Sequence, residues 1–85
     1  MPTKHKNVYI VQLNYLVVFC STNLKASFMQ LKDRVHIDDL TELHSYAQLT
    51  RILGKNRQYK FSGVGNMFYS ILKFPLYTKN SKLIH

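Results

Sequence analysis

In the stretch YAQLTRILGKNRQYKF, positions 46 to 61, Arg51, Lys55, Arg57 and Lys60 fall within ten residues, and no acid interrupts them. Guanidinium and ammonium groups at this density suit one task well: they neutralise a run of phosphates and release the condensed counterions. On a helix, Gln48, Arg51 and Lys55 stand at i, i+3 and i+7 and share the face opposite Leu49 and Leu53. Arg57 leaves the turn beside them, and Lys60 takes the polar side of the strand that follows. The expectation is a compact patch of four cations, with Lys25, Lys32 and Lys73 as secondary contacts. Such contacts position a nucleic acid without reading its sequence. The competing explanation is an ordinary solvated surface on a helix, a turn and a strand.

The charge balance of the whole chain points the same way. The net charge is +8, unevenly spread. Residues 1–32 carry four lysines and no acid, and residues 43–85 carry seven bases and no acid. All four carboxylate side chains, Asp33, Asp38, Asp39 and Glu42, lie in the ten residues 33–42, with Arg34 among them. A chain polarised in this way attracts polyanions and is a poor mimic of one. The acidic segment is placed to pair with the basic surface of this chain or of a second copy.

Other candidate constellations are weaker. HIDDLTELH holds His36, Asp38, Asp39 and His44, which are metal-ligand types without a recognised metal-site spacing. No metal and no cofactor is expected. Nuclease chemistry needs convergent carboxylates, and none exists outside that window, so the chain is not read as an enzyme. Cys20, the single cysteine, has no activating neighbour in sequence, and its place in a strand suggests burial. It cannot close an intrachain disulfide, which fits a reducing compartment. SGVGN, residues 62–66, has two glycines but neither the P-loop lysine nor a dinucleotide fingerprint, and reads as a hairpin tip. Tyr9, Tyr59, Phe61 and Tyr69 are strand aromatics on which bases could stack, but a small core without tryptophan also needs aromatic volume, and that reading is preferred. The glycine-aromatic pattern of an RRM strand is missing. The order of elements also lacks the three-helix set that precedes the wing of a winged-helix protein.

These groups must be held by a small frame. Eighty-five residues with 46% hydrophobic and 13% aromatic content allow one folded domain and exclude a disordered chain. A domain of this size buries a little over about 60% of its unfolded surface, so obligate partners or self-association as a homodimer would supplement a modest stability. Lys4 and Lys6 before the apolar run VYIVQLNYLVVFC resemble the start of a signal peptide. Gln12 and Asn14 interrupt that run, no small-x-small cleavage site follows, and Phe19 before Cys20 disfavours lipoprotein processing. The run is also too short and too polar to span a bilayer. A cytoplasmic protein without a membrane partner is expected.

Residues 8–13 alternate Val8, Ile10 and Gln12 with Tyr9, Val11 and Leu13, and LVVFC follows at 16–20. Both runs are strand-like, with Asn14-Tyr15 as a two-residue turn in which Tyr15 is a poor second residue. Ser21 or Thr22 is placed to cap a helix over 22–34, and Leu24, Phe28, Leu31 and Val35 form its apolar stripe. Residues 35–44 read as a loop or a short helix capped near Asp38 or Asp39. Ser45 caps a second helix over about 46–53, with Tyr46, Leu49, Ile52 and Leu53 inward and Gly54 as its left-handed terminus. QYKFS and NMFYSILKFPL form a second hairpin around Gly63–Asn66, the latter apolar on both faces like an inner strand until Pro75. Residues 1–6 and 78–85 read as flexible tails. The fold class is therefore α+β: a single small domain of order β-β-α-α-β-β, with an antiparallel sheet and two helices on one face.

The functional expectation is a non-enzymatic basic protein that engages RNA or DNA, or a ribonucleoprotein. The alternative is an inhibitor or adaptor that binds a protein directly. Small basic accessory proteins of phages and mobile elements, including blockers of RNA-guided nucleases, offer a class-level analogy for it. A structural subunit that pairs through its strand edges is a third class.

Overall fold

Alternation along the first strand decides what each side of the sheet becomes. Tyr9, Val11 and Leu13 pack into the core under two helices, whereas Val8, Ile10 and Gln12 lie on the opposite side. A computed structural model describes residues 6–76 as β1 (Lys6–Leu13), β2 (Leu16–Ser21), α1 (Leu24–Arg34), α2 (Tyr46–Lys55), β3 (Gln58–Ser62) and β4 (Phe68–Leu76). Single 3-10 turns lie at Ile37–Asp39 and Val64–Asn66. The four strands form one antiparallel sheet in the order β2-β1-β4-β3, with both helices on one face, as expected. The tails expected at 1–6 and 78–85 lie outside the described residues, apart from Lys6, which begins β1.

Both β-turns are sharp and left-handed. Asn14 and Tyr15 have φ of +50° and +71°, the pattern of a type I′ turn, whose twist matches that of its strands. Tyr15 adopts it despite its Cβ because Asn14 clamps the turn to β4. The Asn14 N–H donates to Phe68 O, and the Phe68 N–H donates to Asn14 Oδ1, each at 2.8 Å. The second turn uses Gly65 at φ +64° and Asn66 at +65°.

The helices start and stop by identifiable devices. Asn23, rather than Ser21 or Thr22, caps α1 by accepting the Ala26 N–H at 3.0 Å, while Ser21 Oγ accepts the Asn23 N–H at 3.0 Å. The stripe of Phe28, Leu31 and Val35 is buried as read from its spacing. Ser45 and Gln48 form a reciprocal capping box on α2. Gly54 does not end that helix: α2 continues through it to Lys55, and Gly54 has no left-handed φ. Asn56 closes α2 instead, with its backbone N–H and its Nδ2 both donating to Ile52 O, at 2.9 and 3.0 Å.

Among the described residues nine buried hydrophobic side chains make the core, including Val11 of β1, Leu31 of α1, Leu49 and Leu53 of α2, Tyr59 of β3, and Tyr69 and Ile71 of β4. Phe28 of α1 meets Tyr46 of α2 at 5.6 Å between ring centroids, which joins the two helices. β4 is an inner strand, and Pro75 within it interrupts no ladder bond. The Lys73 N–H points at β3 and reaches Arg57 O at 2.7 Å, and the nitrogen of Pro75, two residues on, points the same way, where β3 has already ended.

The segment between the helices is bound to the sheet by two tyrosine hydroxyls. Tyr69 Oη accepts the His36 N–H at 3.1 Å and donates to Asp39 Oδ2 at 2.8 Å. Asp39 Oδ1 accepts the Val64 N–H at 2.9 Å, so this 1% exposed carboxylate is satisfied on both oxygens. Tyr59 Oη accepts the His44 N–H at 3.1 Å and lies 3.0 Å from His44 Nδ1. Gly63 packs against the Asp39–Tyr69 pair, and a Cβ there would lie 2.6 Å from Asp39 Cγ and 2.8 Å from Tyr69 Cε2.

Two glycines therefore have opposite expected responses. Gly63→Ala should destabilise by about 1–3 kcal/mol, because the collision is with a buried pair that has no room to move. Gly54→Ala should stabilise by about 0.5–1 kcal/mol, since its helical site has nothing within 4 Å of a Cβ. Chemical denaturation of both variants measures this.

A pH dependence follows from the two hydroxyls. Burial raises the Tyr69 and Tyr59 phenols above their ordinary value of 10.0, partly offset by the His36 and His44 N–H groups, and the adjacent Asp39 raises Tyr69 further. The fold then holds these protons more tightly than the unfolded chain. Stability should be fully present below about pH 10 and fall as pH rises through the folded-state values. Circular dichroism and phenolate absorbance across an alkaline titration should show unfolding accompanying ionisation.

Candidate nucleic-acid interface

The outer face of α2 and the start of β3 carry a set of exposed cations. Arg51, Lys55 and Arg57 are all exposed, Arg51 one helical turn before Lys55 and Arg57 just beyond the Asn56 cap. Lys55 and Arg57 line a cleft of about 280 Å³ with Asn7, Gly54, Asn56, Lys73 and Pro75. Three cations and two amides thus surround one opening, and no carboxylate lines it.

Lys73 reaches this cleft from the helix side of β4, opposite Tyr9. Its ammonium donates to Leu53 O in the last turn of α2. A cation at that end offsets the partial negative charge of the exposed carbonyls. Lys73 is therefore half-buried and tied to a helix terminus, not a free surface contact.

Other expected site residues separate. Lys60 alternates with the core-facing Tyr59 and Phe61, so its side chain lies on the sheet face away from α2. The four cations expected in one patch are divided between the two sides of β3. Gln48 is exposed, but its Oε1 accepts the Ser45 N–H at 3.1 Å and the Ser45 hydroxyl at 3.3 Å, which commits it to the helix cap. Lys25 and Lys32 are exposed on α1, which packs over β1, β2 and β4, whereas α2 packs on β3.

The acidic window does not neutralise any of these groups. Asp39 is buried in its tyrosine network, and the one carboxylate–base pairing among the described residues joins Asp38 to His36 at 3.5 Å. The ligand types His36, Asp38, Asp39 and His44 do not converge, and no group of three metal-ligating side chains gathers among the described residues. Cys20, expected to be buried, is exposed, because it stands opposite Ile10 on the open side of the sheet.

The strand aromatics divide as a core requires. Tyr59 and Tyr69 are buried, with Phe61 stacked on Tyr69 at 4.8 Å and Tyr9 packed against the same cluster. Tyr59 and Tyr69 are committed to the core, and Tyr9 and Phe61 are partly buried against it. The aromatic pair outside the core is Tyr15 and Phe68, stacked at 5.0 Å with 24° between planes. No sequence pattern marked it, since Tyr15 lies in a turn and meets Phe68 only once β1 pairs with β4.

No helix among the described residues is long and apolar enough to cross a membrane. No protein-family model matches the chain, and neither a curated protein nor a solved structure matches it.

The double duty of Lys73 is testable. Lys73→Met keeps the aliphatic stem but leaves Leu53 O without its donor, and should lower stability by about 1 kcal/mol. Denaturant midpoints of the variant and the parent, compared at low and high salt, measure it.

Proposed function

We propose that the chain is a non-enzymatic, basic nucleic-acid-binding protein whose α2–β3 junction engages the phosphate backbone of RNA or DNA, free or within a ribonucleoprotein. The observation that carries this reading is the cleft where Lys55, Arg57 and Lys73 meet without a carboxylate, continued along α2 by Arg51. Cations gathered in a concavity hold a stronger potential than the same charges spread over a convex surface. No acid lines that cleft: Asp39 is buried in its tyrosine network, and Asp33, Asp38 and Glu42 lie at the end of α1 and between the helices.

A protein partner is the second reading, and the open side of the sheet favours it. Val17 and Phe74 are 59% and 47% exposed there, with Cys20 beside them. An inhibitor or adaptor would use such apolar contacts, and its capture of a nuclease would persist after nucleic-acid digestion and at high salt.

Replacing Arg51, Lys55 and Arg57 together by alanine tests the first reading. All three are exposed, so the fold should survive. Fluorescence anisotropy should then show weaker binding to every sequence, with the slope of log K against log salt shallower by about 2–3. A folded triple variant that binds RNA and DNA like the parent would refute the assignment.

A further inference from the structure

We propose that the sheet face beside the Asn14–Tyr15 turn is a stacking platform for unpaired bases of single-stranded nucleic acid. This deepens the reading of the chain as a nucleic-acid binder and rests on it. Tyr15 occupies a left-handed position that glycine fills without strain, yet it presents a large aromatic ring that is 71% exposed. The left-handed backbone at this position does not call for an aromatic side chain. Among the described residues the aromatic partner of Tyr15 is Phe68, stacked on one face of the ring, and the side chain is otherwise largely open.

The surroundings of this pair suit a nucleotide. Lys60 Nζ lies 5.9 Å from the centre of the Phe68 ring, which brings a cation beside the aromatic pair. Beside it the buried Ser70, opposite Lys60, donates its hydroxyl to Gln12 Oε1 at 3.3 Å, which holds the half-buried Gln12 amide in place on the adjoining sheet surface. Lys60 stands on the edge strand β3, where it can meet a sugar-phosphate chain whose bases turn inward onto the aromatic pair.

Charge complementarity selects this occupant over a second copy of the chain. The acids lie on the helix side of the sheet or in the segment between the helices, and Lys60 is the charged side chain on this part of the open face. A second copy, also at +8, would bring like charge against Lys60. A duplex hides its base faces, whereas a single strand offers them to aromatic rings.

The test uses the full chain and labelled oligonucleotides of about a dozen nucleotides, oligo-uridine, oligo-thymidine and a duplex of equal length, read by fluorescence anisotropy. Tyr15→Gly supplies the residue a type I′ turn favours, which offsets the lost Tyr15–Phe68 stack, so the melting temperature should stay close to that of the parent. Single-strand affinity should nevertheless fall about tenfold, while duplex affinity and salt slope stay as in the parent. Tyr15→Phe should restore single-strand binding, and the two oligomers distinguish RNA from DNA. The platform is overturned if Tyr15→Gly binds single strands like the parent, or if light scattering finds a dimer through this face that excludes the oligonucleotides. Parent protein that binds no oligonucleotide at low salt removes the underlying reading as well. Binding that is intact in Tyr15→Gly yet lost in the Arg51, Lys55 and Arg57 variant removes the platform alone.

Discussion

The inter-helix segment must cross one end of the core, and two tyrosine hydroxyls allow it to do so. Tyr59 and Tyr69 place their rings among the apolar side chains and their oxygens at the edge, where the His44 and His36 N–H groups need acceptors. Without these oxygens, backbone groups between α1 and α2 would be withdrawn from water unpaired, at a cost comparable to a lost hydrogen bond. Asp39 completes the arrangement by joining Tyr69 to the β3–β4 turn through Val64. The connection between the helices, the inner strand and the second hairpin are thereby linked through one buried carboxylate. The closeness of Gly63 to that carboxylate shows how little space the linkage leaves.

This arrangement also shapes the electrostatics. One of four acids is buried as a structural acceptor, and another faces His36 rather than a lysine or arginine. The cations of α2 and β3 are left to act outward, modified only where Lys73 turns back to the end of the helix. Fold and surface potential meet in Asp39: the one buried acid ties the chain together, while Arg51, Lys55, Arg57 and Lys60 stand exposed.

Much of the architecture could be read from the residues because the local signals agreed with the tertiary arrangement. The period-two run of β1, the four-three-four spacing of α1, the Ser45 cap of α2 and the two turns each specified an element that formed. The failures have two causes, one local and one in the pairing of strands. Gly54 looked like a helix terminus, but the open space around it and the Asn56 cap let the helix continue. Cys20 looked buried because it follows an apolar run, yet strand parity places it on the uncovered side. The site was only partly legible for the same reason. Arg51, Lys55 and Arg57 are neighbours in sequence, whereas Lys73 and Asn7 join the cleft through strand pairing, and Lys60 leaves it through the alternation of β3. Long-range pairing, not composition, decides such memberships.

The strand order has a consequence for how the molecule is made. The two central strands are β1 and β4, and Val11 pairs with Ile71 across nearly the whole described chain. A nascent polypeptide that has emerged only through β3 has a local hairpin and two helices but lacks Tyr69 and Ile71, which fill the middle of the core. Its first strand would wait on the ribosome with one edge unsatisfied until the last strand arrives. High contact order of this kind slows folding and prolongs exposure of apolar edges. Assembly is thus all-or-none with respect to synthesis, and an incompletely translated copy would be a substrate for chaperones or proteases, not a partly working protein.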